Sequence, residues 1–181
     1  MTKASRSLLI KRFYYLLYIV DIKEWHDFFV ATVSAAATLT GLIFVGVSIN
    51  IQRILSFVHL PNRAFLSLIL LLNVLIVSLL MLIPRQSYLA VGTEVLLIAI
   101  CVYFVVIRMD IGIYRHTHIN YKKQYALIMV YNQVALLPYI AGGVAIFISG
   151  EVGIYWLIAG MICSFIKAVI DAWVLLVEIN R

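Results

Sequence analysis

FFVATVSAAATLTGLIFVGVSI, residues 28–49, decides the fold: 22 consecutive residues carry no charge. A helix rises about 1.5 Å per residue and the hydrocarbon core of a bilayer is about 30 Å thick, so this run is long enough to cross it. Hydrocarbon offers no water to bare N–H and C=O groups, so a crossing segment closes its hydrogen bonds on itself as a helix. Four further runs reach the same length, Ala64 to Ile83, Leu89 to Ile107, Tyr125 to Ser149 and Val152 to Val177. Pro84, Arg85, Gln86 and Ser87 link the second run to the third, and Gly150 with Glu151 link the fourth to the fifth. Links this short make antiparallel neighbours.

Composition agrees. The chain is 65% hydrophobic and 12% charged, with a mean hydropathy of +1.07, whereas soluble domains average roughly 45–50% apolar and about 25% charged. These values exclude a soluble globular domain, a disordered tail, a coiled coil and a disulfide scaffold. The expectation is an all-α transmembrane helical bundle with about five spans over residues 28–181, preceded by an amphipathic interfacial segment over residues 1–27. Within that segment LLIKRFYYLLYIV, residues 8–20, is aromatic, basic and short, the pattern of a helix lying in the membrane interface. A short or re-entrant sixth span is the rival reading, and both remain open. Trp25, Tyr88, Tyr121, Tyr125 and Trp173 stand near run ends, as an aromatic belt places them.

The net charge of +6 sits mostly between apolar runs, where Lys and Arg meet lipid headgroups rather than nucleic acid. Lys3, Arg6, Lys11, Arg12, Lys23 and Arg85 fall on the face of the N-terminus; Arg53, Arg63, Arg108, Arg115, Lys122, Lys123 and Arg181 fall on the opposite, far face. The two sets are too even to set an orientation. Arg108, Arg115, Lys122 and Lys123 border a far-face loop that also holds Asp110, His116 and His118. Its basic residues are candidates for headgroup or partner contact, and two histidines at i, i+2 need further ligands to hold a metal, so no metal or cofactor is expected.

Ionisable groups inside hydrocarbon are costly and mark candidate sites. Lys167 lies close to the middle of the fifth run and Asp171 follows at i+4 on the same helix face. The pair reads either as an internal ion pair facing other helices or as the lining of an ion path. Glu94 sits nearer the near face, where it either reaches the interface or pairs with Arg85. Asn73, Asn132 and Gln133 lie within the second and fourth runs; amides there hydrogen-bond across helices.

Small residues let helix backbones approach closely in lipid. The first run carries Ala31, Ala35, Ala37, Thr38 and Gly41, the fourth Ala141 and Ala145, and the fifth Gly160 and Ser164. This pattern predicts that the first run is central to packing, and that several small faces together hold a homo-oligomer. Pro138 falls within the fourth run and is expected to kink it. Cys101 and Cys163 lie inside apolar runs and read as small buried hydrophobes. No phosphate-binding loop, nucleophile elbow, zinc-protease or kinase signature is present in the sequence, so catalysis is not expected.

WHDFF (residues 25–29), AAATLTGLIFVGVSIN (residues 35–50) and LPNRA (residues 60–64) together resemble a group of small bacterial integral membrane proteins, some of them labelled as modulators of a membrane-bound AAA protease. The likeness covers about a third of the chain. It implies a bacterial inner-membrane location and a regulatory role, and it transfers no catalytic residue. Two function classes follow as expectations: a homo-oligomeric regulatory or scaffold subunit that anchors a protein partner at the bilayer, and a homo-oligomeric channel with a polar intramembrane lining.

Overall fold

The computed structural model describes residues 25–57, 60–116 and 122–179. The expected interfacial helix at residues 8–20 and His118 lie outside these residues. Six helices are described: α1 (His26–Ile49), α2 (Ile51–Leu55), α3 (Leu60–Met81), α4 (Tyr88–His116), α5 (Lys122–Ser149) and α6 (Val152–Ile179). No strand occurs among the described residues. All but α2 are long and apolar enough to cross a membrane, the architecture of a multi-pass membrane protein.

The chain runs as an antiparallel bundle. α5 and α6 make the largest contact, α4 packs on α5, and α3 touches α1, α4 and α6. The core gathers Val74, Val77 and Met81 of α3, Val91 and Val95 of α4, Tyr139 and Ile146 of α5, and Leu157 and Met161 of α6. The central helix is therefore α3, with 56% of its span buried, and not α1, with 17%. On α1 the inward face is Phe29, Thr32 and Ala36. The small residues Ala31, Ala35, Ala37, Thr38 and Gly41 point outward. Phe29 and Ala36 of that inward face join the core.

The third span is longer than its apolar run. The sequence places its end at Ile107, yet α4 continues to His116. Nothing in between breaks a helix, since neither proline nor a capping turn intervenes. The inward stripe of Val95, Ala99 and Val106 simply continues through Asp110 and Ile113, all buried. Asp110 is thus an interior residue and not part of a loop. Likewise α3 begins at Leu60 rather than Ala64, with Pro61 in the first turn, where its missing N–H is not needed.

Polarity is distributed opposite to a soluble fold. Leu42, Phe44, Leu97 and Trp173 are exposed, while Asn73, Ser78, Asp110, Asn132, Ser164, Lys167 and Asp171 are buried. Outward apolar side chains suit a lipid solvent, and polar ones turn inward to find one another.

The α5–α6 contact depends on glycine. Gly150 takes a left-handed φ of 58°, and its N–H donates to the Ile146 carbonyl at 3.0 Å to close α5. Past this tight turn the two backbones nearly touch. A Cβ on Gly153 would stand 2.4 Å from Ile146 Cγ1, 2.5 Å from Ile146 N and 2.7 Å from the Gly142 carbonyl. Gly153→Ala is expected to lower the unfolding midpoint in detergent by the equivalent of about 1–3 kcal/mol, the cost of overpacking. Gly112→Ala, where nothing lies within 4 Å, is expected to leave it unchanged or slightly raised. Thermal unfolding followed by circular dichroism checks both.

Candidate functional site

Two helices bring buried ionisable groups together in the far-face half of the bundle, and a third adds a buried amide. α4 supplies Asp110, fully buried. From α5, Asn132 Nδ2 donates to both Asp110 oxygens, at 3.0 and 3.2 Å. On α6, Lys167 Nζ donates to the Asp171 carboxylate one turn later, and both side chains are buried. The i, i+4 spacing on one helix accounts for that pair. Lys167 and Asp171 lie within electrostatic reach of Asp110, and the Gln133 side chain stands beside it. Toward the far face, Tyr125 lies within reach of Asp110, Asp171 and Arg63.

The polar groups continue toward the other face. Ser164, seven residues before Asp171 and hence about 10 Å along the axis, shares a hydrogen bond of 3.2 Å with the Tyr139 hydroxyl. Asn73 of α3 stands near that hydroxyl. Ser78 Oγ then donates to Met161 Sδ at 3.8 Å. At the near face Gln86 Nε2 donates to Glu94 at 2.9 Å, and the Tyr88 hydroxyl donates to Glu151 at 3.3 Å. Glu94 is thus held by Gln86 rather than Arg85. These polar side chains are thus drawn from α3, α4, α5 and α6 and the links between them.

Satisfaction is incomplete. Both polar atoms of Asn73 and of Gln133, and Oδ1 of Asn132, are buried with no hydrogen-bond partner among the described residues. A buried amide without partners costs about 1–3 kcal/mol, so the interior holds polar capacity that its own side chains do not use. Formal charge is also uneven, because Lys167 is matched by Asp171 and no described cation touches Asp110.

The remaining sequence candidates divide by position. Gly160 and Ser164 are buried at the α5–α6 contact and Ala141 and Ala145 are half-buried, whereas Ala31, Ala35, Ala37, Thr38 and Gly41 look outward. Arg108 is exposed, its guanidinium 4.9 Å from the Phe104 ring centre, and Lys122 Nζ lies 5.5 Å from that of Tyr114. Arg115 and Lys123 are exposed at the same end. Cys163 is half-buried, but Cys101 is exposed on the outer surface of α4, and both are free thiols. Among the described residues no group of three metal-ligating side chains stands together. Sequence reasoning missed Asp110, although its spacing of four from Val106 and three to Ile113 placed it on the inward stripe.

No family model, curated protein or solved structure matches the chain.

Removing one partner of a buried pair leaves an uncompensated charge, whereas removing both does not. Lys167→Met is expected to destabilise the protein by about 3–5 kcal/mol. The double variant Lys167→Met with Asp171→Leu is expected to regain most of that loss. Denaturant unfolding in detergent micelles, as a double-mutant cycle, checks the difference.

Proposed function

We propose that the chain is a non-catalytic subunit of a bacterial inner membrane that self-associates through α1 and holds a partner protein at the bilayer. The observation that carries this reading is the outward face of α1. Ala31, Ser34, Ala35, Thr38 and Gly41 are all exposed there, and nothing lies within 4 Å of a Cβ built on Gly41. Lipid gives helices no hydrophobic reason to associate, so close packing of small residues is the main contribution available to them. A face of this kind turned to lipid fits a second copy of α1 better than it fits acyl chains. The hydroxyls of Ser34 and Thr38 donate to carbonyls one turn back, at 2.9 and 2.8 Å, so they come to such a contact already satisfied.

The basic far-face end with Arg108, Arg115, Lys122 and Lys123 favours headgroup or partner contact, and the resemblance to bacterial membrane proteins labelled as protease modulators favours a regulatory partner. The channel reading gains less support. Its ionisable candidates Lys167 and Asp171 are enclosed within one protomer, whereas a pore on a symmetry axis through α1 would be lined by small residues without charge.

Gly41→Leu places a large side chain on the outward face without touching the protomer core. It is expected to convert an oligomer to monomer in detergent, measured by light scattering with mass analysis, while helical content and unfolding midpoint stay unchanged. Wild-type protein that is monomeric at all detergent ratios, or a variant with undiminished assembly, would overturn the reading. Wild-type liposomes are expected to show no ion flux above empty vesicles.

A further inference from the structure

The interior cluster around Asp110 is buried inside the protomer, apart from the outward face of α1. We propose that Asp110, with Asn132 and Gln133 and beside the Lys167–Asp171 pair, is a binding site for one small monovalent cation. Three independent observations converge. First, Asp110 is a carboxylate at zero exposure that takes an amide N–H from Asn132 and stands beside Gln133, and with all three ionised the buried groups Asp110, Lys167 and Asp171 sum formally to one negative charge. An uncompensated ion at such depth is neutralised by whatever cation reaches it. Second, Asn132, also at zero exposure, aims its amide at Asp110 yet leaves Oδ1 without a partner, and both polar atoms of Gln133 are unpartnered beside it. Amide oxygens next to a carboxylate are the hard ligands that a small cation takes. Third, Tyr125 on α5 stands within electrostatic reach of Arg63, Asp110 and Asp171 at the far-face side of the site.

The surroundings decide which cations fit. Within reach of Asp110 are Asn132, Gln133 and Tyr125 from α5 and Lys167 and Asp171 from α6, and Arg63 of α3 is within reach of Tyr125. A divalent cation would bring more charge than the cluster lacks and would meet the Lys167 ammonium. A sodium ion held by the carboxylate and the amide oxygens, with the Asn132 amide turned so that Oδ1 replaces Nδ2 at Asp110, or a proton bound by Asp110 itself, each supplies the single charge. Both neutralise the same carboxylate, and both stabilise the folded protein by mass action.

The test uses the full-length protein purified in detergent, with two readouts. Thermal midpoints are measured in sodium, potassium and choline chloride at equal ionic strength, each at mildly acid and mildly alkaline pH. Modification of buried carboxyls by dicyclohexylcarbodiimide, which reacts with the protonated form, is mapped by peptide mass. If sodium is the occupant, sodium raises the midpoint by several degrees over choline and slows labelling of Asp110. If the proton is the occupant, acid pH speeds that labelling, sodium has no effect, and the midpoint advantage of wild type over Asp110→Asn grows as pH falls. In Asp110→Asn the sodium dependence and the Asp110 label disappear while helical content is kept. The wild-type labelling pattern needs no variant, so it decides the matter even if Asp110→Asn fails to fold. Labelling and midpoints indifferent to both sodium and pH, or a dependence that persists in Asp110→Asn, would overturn the assignment. Self-association through α1 is read separately by particle mass, so either result stands without the other.

Discussion

Between Gly142 and Gly153 two helix backbones approach until a single added carbon would overlap Ile146. The rest of the interior follows from that approach. Helices joined by a two-residue turn would otherwise splay on side chains, and Tyr139 would lie too far from Ser164 to share a hydrogen bond. Gly160 repeats the device further along, where a Cβ would meet the Tyr139 ring at 2.9 Å. With α5 and α6 drawn together, Asn132 and the Lys167–Asp171 pair are brought alongside each other, and α4 completes the group by laying Asp110 against Asn132. Small residues thus act in this bundle as they do in membrane proteins generally, exchanging side-chain bulk for proximity.

The fold was largely legible because the constraint that produces it is chemical rather than conformational. Uncharged runs of about twenty residues have one structural outcome in hydrocarbon, and the boundaries at Ser149, Val152, Met81 and Tyr88 fall within a few residues of those read from the runs. What the runs could not convey was which side of each helix faces its neighbours. On α1 the alanines and Gly41 advertise close packing, and yet the protomer turns Phe29, Thr32 and Ala36 inward. Sequence patterning marks a face as suited to contact without saying whether the contact is made within one chain or between two.

The candidate site was legible in its parts. Lys167, Asp171, Asn73, Asn132 and Gln133 all stand out against an apolar background, and the structure buries or half-buries each of them. Asp110 was lost because hydropathy falls at Arg108, and a falling average reads as the end of a span. The helix does not end there, because Arg108 lies on the outer side, stacked on Phe104, while Asp110 two residues later turns inward. Window averages blend opposite faces of a helix, and at the mouth of a span the two faces differ most. Pairing across helices was equally hidden, since Asp110 and Asn132 are 22 residues apart and meet through tertiary packing alone.

Pro138 gives α5 an uneven mechanical character. Having no N–H, it leaves the Val134 carbonyl without its helical donor, so one rung of the ladder is absent midway along the helix. On one side of that gap lies the stretch clamped to α6 at Gly142; on the other lie Asn132 and Gln133. Bending there strains one hydrogen bond fewer than at an intact turn of the helix. A slight flexure about this joint would carry the two amides toward or away from Asp110 while the clamped stretch stayed fixed, so the helix combines a stiff anchor with a compliant arm.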